Sequence, residues 1–249
     1  MKKKLAYVKI LKEILESEEF NKLSLTELGY SSLEEANKLV FSNPMAFFIG
    51  LVFDQGISSE RAWTVPFYLQ NRLGHLEPTL IAKMSVETLT EVLREGKSLH
   101  RYPSTMANNL ITSCNLLIES FEGKPENIWK SKKYKETKLN FLKMRGIGEK
   151  KANLGLLMLM RDHGVIFLDG SNIPLALDSH LRRVLSRSGL FNIKTKEGIK
   201  EVIDSMKIIS PELPSSLGTA VWYVGKNYCD NTHPLCILCP LSTVCKKIT

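Results

Sequence analysis

The sequence predicts an all-α fold, and three observations carry that expectation. Apolar residues recur at spacings of three and four along most of the chain, as one buried helix face requires. The periodic segments open on Asn or Ser and close on Gly, which are the residues that satisfy the unpaired groups at helix ends. Only one stretch breaks the helical pattern. With 249 residues, 43% of them hydrophobic and 24% charged, and no long Pro- or Gly-rich tract, the chain has material for a sizeable core.

The elements follow in order. Asn43-Pro44 reads as an N-cap followed by proline at the first helical position, opening the apolar run Met45 to Phe53. Ser59 begins a segment through Trp63 and Leu69 that closes near Gly74, with a kink or break expected at Pro66. Ser85 begins another, through Leu89, Val92 and Leu93 to Gly96. Between Ser104 and Phe121, the residues Met106, Leu110, Cys114, Leu117 and Phe121 mark one face, so Cys114 reads as a core thiol rather than a ligand. Later helices are predicted over 149–160, 179–188 with Gly189 after it, 196–206 and 215–226. The interruption runs from Val165 to Leu177, where two short apolar runs flank Asp169-Gly170-Ser171-Asn172; it predicts a small hairpin or an ordered loop.

Lys and Arg exceed Asp and Glu by 34 to 26, a formal charge of +8, which suits a polyanionic partner such as DNA. No apolar run approaches the roughly 18 to 20 residues that span a bilayer, and Met1-Lys2-Lys3-Lys4 leads into an amphipathic stretch rather than a signal-peptide core. The expectation is a soluble, intracellular protein, in cytoplasm or nucleoid, or in a nucleus if the source has one.

Four of the five cysteines fall within the last 21 residues, a poor layout for a disulfide framework and a good one for a metal site. Cys229, Cys236, Cys239 and Cys245 have the spacing C-x6-C-x2-C-x5-C. Four thiolates favour tetrahedral zinc or a cubane iron–sulfur cluster. Zinc knuckles place two short pairs apart, whereas here a single short pair is flanked by wider gaps, so the spacing favours iron–sulfur. His233, inside the first gap, reads as a loop or DNA-facing residue rather than a fifth ligand.

The segment Lys143-Met144-Arg145-Gly146-Ile147-Gly148-Glu149-Lys150-Lys151 joins two helical patterns through a G-x-G turn. Two glycines let backbone approach a phosphate closely, and the N–H groups opening the second helix face an anion. Glycine is also an ordinary cap, and Lys150 and Lys151 read equally as a solvated basic face. The basic setting of Lys143, Arg145, Lys150 and Lys151 raises the anion reading.

These residues resemble the endonuclease III family of DNA glycosylases, part of the helix-hairpin-helix superfamily. Met144 to Ala152 aligns without a gap with the family's hairpin L-P-G-V-G-R-K-T-A, putting Lys150 on the catalytic lysine. Leu177-Asp178-Ser179-His180 resembles V-D-T-H, putting Asp178 on the catalytic aspartate, and the cysteine spacing is that of the family's cluster loop. Phe53-Asp54-Gln55 is similar to the segment holding a gap-filling glutamine.

The resemblance implies two lobes: 38–160 as a helical bundle ending in the helix-hairpin-helix, and 1–37 plus 161–249 as a helical domain holding a [4Fe–4S] cluster on the four cysteines. It implies a monomer acting on double-stranded DNA with a damaged base or abasic site, by glycosylase and AP lyase chemistry, on oxidised pyrimidines foremost. The implied DNA contacts are Gln55, the wedge loop Leu99, His100, Arg101 and Tyr102, the hairpin residues Arg145, Gly146, Gly148 and Lys151, and His180. Alternatives are a monofunctional glycosylase for mismatched or deaminated bases, in which Lys150 only grips DNA, and a catalytically silent DNA-binding member. Asp178 also reads as a helix N-cap, compatible with catalysis, and Asp162 and Asp169 are competing carboxylates. Three departures stand out: Lys150 and Asp178 lie farther apart than the family's pair, with the surplus at 163–177; Glu149 is acidic where the family often has a basic residue; and the loop between Cys229 and Cys236 lacks the usual basic residues.

Overall fold

The computed structural model describes residues 1–23, 30–212 and 214–247. Regular structure among the described residues is helical, without a strand, as the periodicity predicts. The chain divides into two compact units, Leu23–Ile166 and a discontinuous unit of Met1–Lys22 with Phe167–Thr249. The discontinuous unit opens with α1 (Lys2–Glu16) and the one-turn α2 (Glu18–Asn21). The continuous unit holds α3 (Glu34–Ser42), α4 (Pro44–Phe53), α5 (Ser59–Leu73), the one-turn α6 (Pro78–Ile81), α7 (Val86–Arg94), α8 (Pro103–Phe121), α9 (Tyr134–Lys143) and α10 (Glu149–Asp162). The discontinuous unit resumes with α11 (Ser179–Ser188), α12 (Lys196–Ile209) and α13 (Leu217–Asn227).

Helix α4 is the axis of the continuous unit. Asn43 Oδ1 accepts the N–H of Met45 at 2.8 Å and of Ala46 at 3.3 Å, and Pro44 supplies a first residue that has no N–H to lose. Every residue from Met45 to Phe53 is buried, because α3, α5, α8 and α10 pack around it; an apolar surface on all sides needs such neighbours. No single helix among the described residues is long and apolar enough to cross a membrane. Gly50 lets α5 come close: a Cβ there would sit 2.3 Å from the Trp63 ring. Helix α5 runs unbroken through Pro66, so the expected break does not occur; Ala62, Trp63, Val65 and Leu69 are buried on either side of it and hold the helix across the missing donor.

In the discontinuous unit, α1 packs on α12 and α13, and α11 on α13. Asp178 caps α11 through Leu181 N–H, and Gly189, at φ 61°, ends it in the left-handed region. Between α10 and α11 the apolar runs form no hairpin. They make an ordered loop with one 3-10 turn at Gly170–Asn172, in which Phe167, Ile173 and Leu175 are buried while Ile166 and Leu168 are exposed. Gly218 of α13 receives Leu175, whose Cδ1 would lie 2.6 Å from a Cβ.

Candidate nucleic-acid interface and thiol cluster

Helices α9 and α10 meet at the turn 144–148 and form a helix-hairpin-helix. Met144 and Ile147 anchor the turn, 1% and 5% exposed, and Ile147 N–H donates to Met144 O at 3.1 Å. Arg145 and Gly148 face outward. The two glycines have different reasons. Gly146 sits at φ 85°, and a Cβ there would come 2.7 Å from Asn109 Nδ2 of α8. Gly148 has an extended backbone, and a Cβ there would meet nothing in the protein within 4 Å. Glycine at 148 therefore answers no internal demand and keeps the outer face of the hairpin bare. The acidic Glu149 is paired with Lys138 of α9 at 2.6 Å, which offsets its charge at the mouth of the turn.

The two lysines that follow are placed differently. Lys150 is exposed. Lys151 is turned inward, 7% exposed, and its Nζ donates to Val52 O at 2.8 Å, in the last turn of α4. Burial lowers its ammonium pKa from the ordinary value to about 8, with Asp54 opposing that shift and Lys150 adding to it. The sequence-based placement of Lys151 among the backbone-gripping residues thus meets a side chain already committed inside the protein. The signal was present in the pattern: Lys151 shares its helix face with Gly155 and Leu159, all buried, whereas Lys150 lies one residue off that stripe.

Gln55 follows α4 directly, with its N–H on Phe53 O at 2.7 Å. His100 holds the same turn: Nε2–H donates to Gln55 O at 2.7 Å and Nδ1 accepts the Tyr102 N–H at 3.0 Å. An acceptor on one ring nitrogen and a donor on the other define a neutral imidazole, and burial pushes its pKa below the ordinary value in the same direction. Within the segment expected to wedge DNA, Leu99 and His100 are buried, 6% and 1% exposed, while Arg101 and Tyr102 are exposed. Beside this turn lies an open depression of about 650 Å³ whose lining includes Ser58, Arg61, Arg94, His100 and Arg101. Arg61 and Arg94 of this basic depression carry no sequence motif, since isolated arginines on amphipathic helices look like any solvated face.

In the discontinuous unit, the Asp178 carboxylate accepts Leu181 N–H at 2.8 Å, so the N-cap reading of this residue holds geometrically. His180 Nδ1 accepts from Arg183, which also donates to Gly225 O at 2.8 Å and Cys229 O at 2.6 Å. Asp162, one competing carboxylate, belongs to the continuous unit and is spent on an ion pair with Arg161 and on the Tyr30 hydroxyl at 2.6 Å.

Cys229, Cys236, Cys239 and Cys245 are free and line one cavity with Tyr7, Val224 and Arg187. Arg187 reaches Cys229 Sγ at 3.7 Å, and Lys247 N–H donates to Cys245 Sγ at 3.3 Å. Among the described residues, no three His, Cys, Asp or Glu side chains are close enough to hold a metal ion together. Cys114 is fully buried in α8, its thiol pushed up to about 12 by burial, as a core cysteine should be.

No family model matches the sequence. The chain is 24% identical to endonuclease III of Thermotoga maritima over 170 residues, 68% of each sequence. Among solved structures it resembles a non-covalent endonuclease III–DNA complex, with a TM-score of 0.68 at 21% identity, covering 98% of this chain and 95% of that one. A thermostable thymine-DNA glycosylase aligns with a TM-score of 0.65 at 12% identity, covering 99% and 96%. The chain therefore shares the fold of these DNA glycosylase structures and resembles endonuclease III in sequence over two thirds of its length.

Proposed function

We propose that the chain is a DNA glycosylase with AP lyase activity, excising a damaged base, foremost an oxidised pyrimidine, from double-stranded DNA. The shared fold and the sequence likeness to endonuclease III support the glycosylase part. The observation that carries the rest is the exposed Lys150 two residues after a glycine turn whose outer face is bare. Duplex DNA carries its phosphates at high density, and this turn offers backbone N–H groups, Arg145 and the start of α10 to them.

Chemistry on a stacked base requires eversion first, at a cost of a few kcal/mol that is least at lesions. Gln55 and Tyr102 are the proposed gap-filling and wedging groups. With the nucleotide everted, Lys150 Nζ attacks C1′ and the glycosidic bond breaks, the base leaving with the bonding electrons and taking up a proton. Ring opening gives a Schiff base, and β-elimination from it expels the 3′ phosphate. Asp178 is proposed to stabilise positive charge developing at the sugar, with its cap on α11 fixing the carboxylate.

The four cysteines suit a [4Fe–4S] cluster better than zinc. One short C-x2-C pair is flanked by gaps of six and five residues, where zinc sites usually place two short pairs on separate knuckles, and all four thiols line one cavity. The cluster, when bound, supplies a rigid cross-link for the C-terminal loop; base excision transfers no electrons. The protein is proposed to act inside the cell as a monomer.

Borohydride trapping on abasic duplex DNA tests this reading. The wild-type protein is expected to become covalently linked at Lys150, and Lys150→Ala to lose the adduct. Base release by the wild type without any adduct would reject the lyase half, and undiminished release by Lys150→Ala would reject the nucleophile.

A further inference from the structure

Lysine is among the side chains least often fully buried, and Lys151 stands in the first turn of α10, where the helix dipole disfavours a cation. Packing does not call for an amine there. The acceptor it has found is informative. Val52 lies in the last turn of α4, whose carbonyls have no helical donor, and the turn carrying Gln55 begins two residues later. His100 holds the far end of that turn through Gln55 O. Lys151 from α10 and His100 from the segment before α8 therefore clamp it from two sides.

We propose that Lys151 is a positioning residue, fixing the Gln55 turn against the DNA-gripping hairpin so that backbone contact and gap filling share one rigid frame. The inference rests on the proposed function and adds a residue to its machinery. Preorganised support of this kind stabilises the everted complex selectively, because a mobile turn must be ordered at that moment. The groups facing the Lys151 ammonium are Asp54 after α4, Lys150 on its own helix, and the neutral His100. Above about pH 8 the ammonium becomes an amine and loses its attraction to Asp54, so the clamp weakens.

The test compares affinity for a duplex holding a tetrahydrofuran abasic analogue with affinity for the unmodified duplex, by fluorescence anisotropy, for wild type, Lys151→Met, Lys151→Thr and Lys151→Arg. The wild-type preference for the abasic duplex should fall about tenfold in the Met and Thr variants, and Arg should restore part of it. The wild-type preference should also decline above about pH 8 and stay flat in Lys151→Met. Thermal melts check folding, and should the Met variant fail to fold, the Thr and Arg variants carry the comparison. If Lys151 only gripped DNA, both affinities would drop together and the ratio would stand; that result, or an unchanged ratio and pH profile in the variants, overturns the inference alone. A wild type with no preference for abasic DNA overturns the proposed function and this inference together.

Discussion

Two adjacent lysines of the same helix have opposite fates because successive residues point about 100° apart. Lys150 meets solvent, while Lys151 meets the end of α4. Inward placement carries a stability cost whose sign can be followed with pH. The folded-state pKa of Lys151 is depressed to about 8 from 10.5, so the folded protein disfavours the charged form that the unfolded chain keeps. The penalty is fully present below about pH 8, shrinks as pH rises from there towards 10.5, and is absent above. At about 1.36 kcal/mol per unit, the change is on the order of 3 kcal/mol. Lys151→Met removes the titrating group, at the loss of one hydrogen bond worth about 1 kcal/mol. Urea unfolding of both proteins across this range should therefore show the wild type gaining on the variant by about 3 kcal/mol between neutral pH and pH 10.5. Parallel curves would mean the side chain is solvated, not buried. A residue kept at such a cost at neutral pH is the pattern expected of function held against stability.

At the scale of elements, the hairpin separates what the fold needs from what a ligand needs. Gly146→Ala forces a side chain to φ 85° and against Asn109, and should destabilise the protein by about 1–3 kcal/mol, read as a lower melting temperature. Gly148→Ala meets no protein atom and has an ordinary backbone angle, so apart from a weaker N-cap on α10 the fold should tolerate it, with a smaller drop in melting temperature than Gly146→Ala, while affinity for duplex DNA falls. Equal effects of the two substitutions on both measurements would erase this division of labour. Much of the element structure was legible because its signals are local: the Asn43 cap, the Ser85 cap, the apolar stripe of α8 and the Gly189 stop each act within one helical turn. The 165–177 segment was readable only as hairpin or loop, since alternation of buried Phe167 with exposed Ile166 and Leu168 needs a pairing strand to become one, and strand pairing is not a local property. Pro66 does not break α5 for a related reason: tertiary packing around the helix outweighs the missing donor. Of the candidate site, the turn and its lysines were visible as a motif. The inward turn of Lys151 could be read from the stripe it shares with Gly155 and Leu159, but the burial of Leu99 and His100 and the basic depression at Arg61 and Arg94 depend on which helices meet, which no short motif encodes.

At the scale of the whole molecule, the division into a continuous and a discontinuous unit means that the N-terminal helix and the last third of the chain must fold together. Closing so long a loop has an entropic cost that grows only slowly with length, but it has to be met by contacts within that unit. Here α1 packs on α12 and α13, Tyr7 of α1 lines the thiol cavity, and the C-terminal loop bonds back to α11, where Lys246 N–H donates to Ser188 O at 2.9 Å. The loop itself is short of apolar anchors, with Leu235, Ile237 and Leu238 exposed and Leu241 buried. A group bound by all four cysteines would therefore supply much of its order, and metal-linked folding energy would be concentrated in one unit. Purified protein should contain iron and acid-labile sulfide in equal amounts, whereas stoichiometric zinc without iron would reject the cluster. Stripping the metal with a chelator under reducing conditions should raise amide hydrogen exchange in α1 and in 217–247, read by mass spectrometry of peptides. The helices α4, α5 and α8 draw their stability from a separate core around Phe47, Phe48 and Trp63, and their exchange should stay unchanged. Uniform loss of protection along the chain would mean that the two units unfold as one, and that the cysteines stabilise more than the unit they sit in.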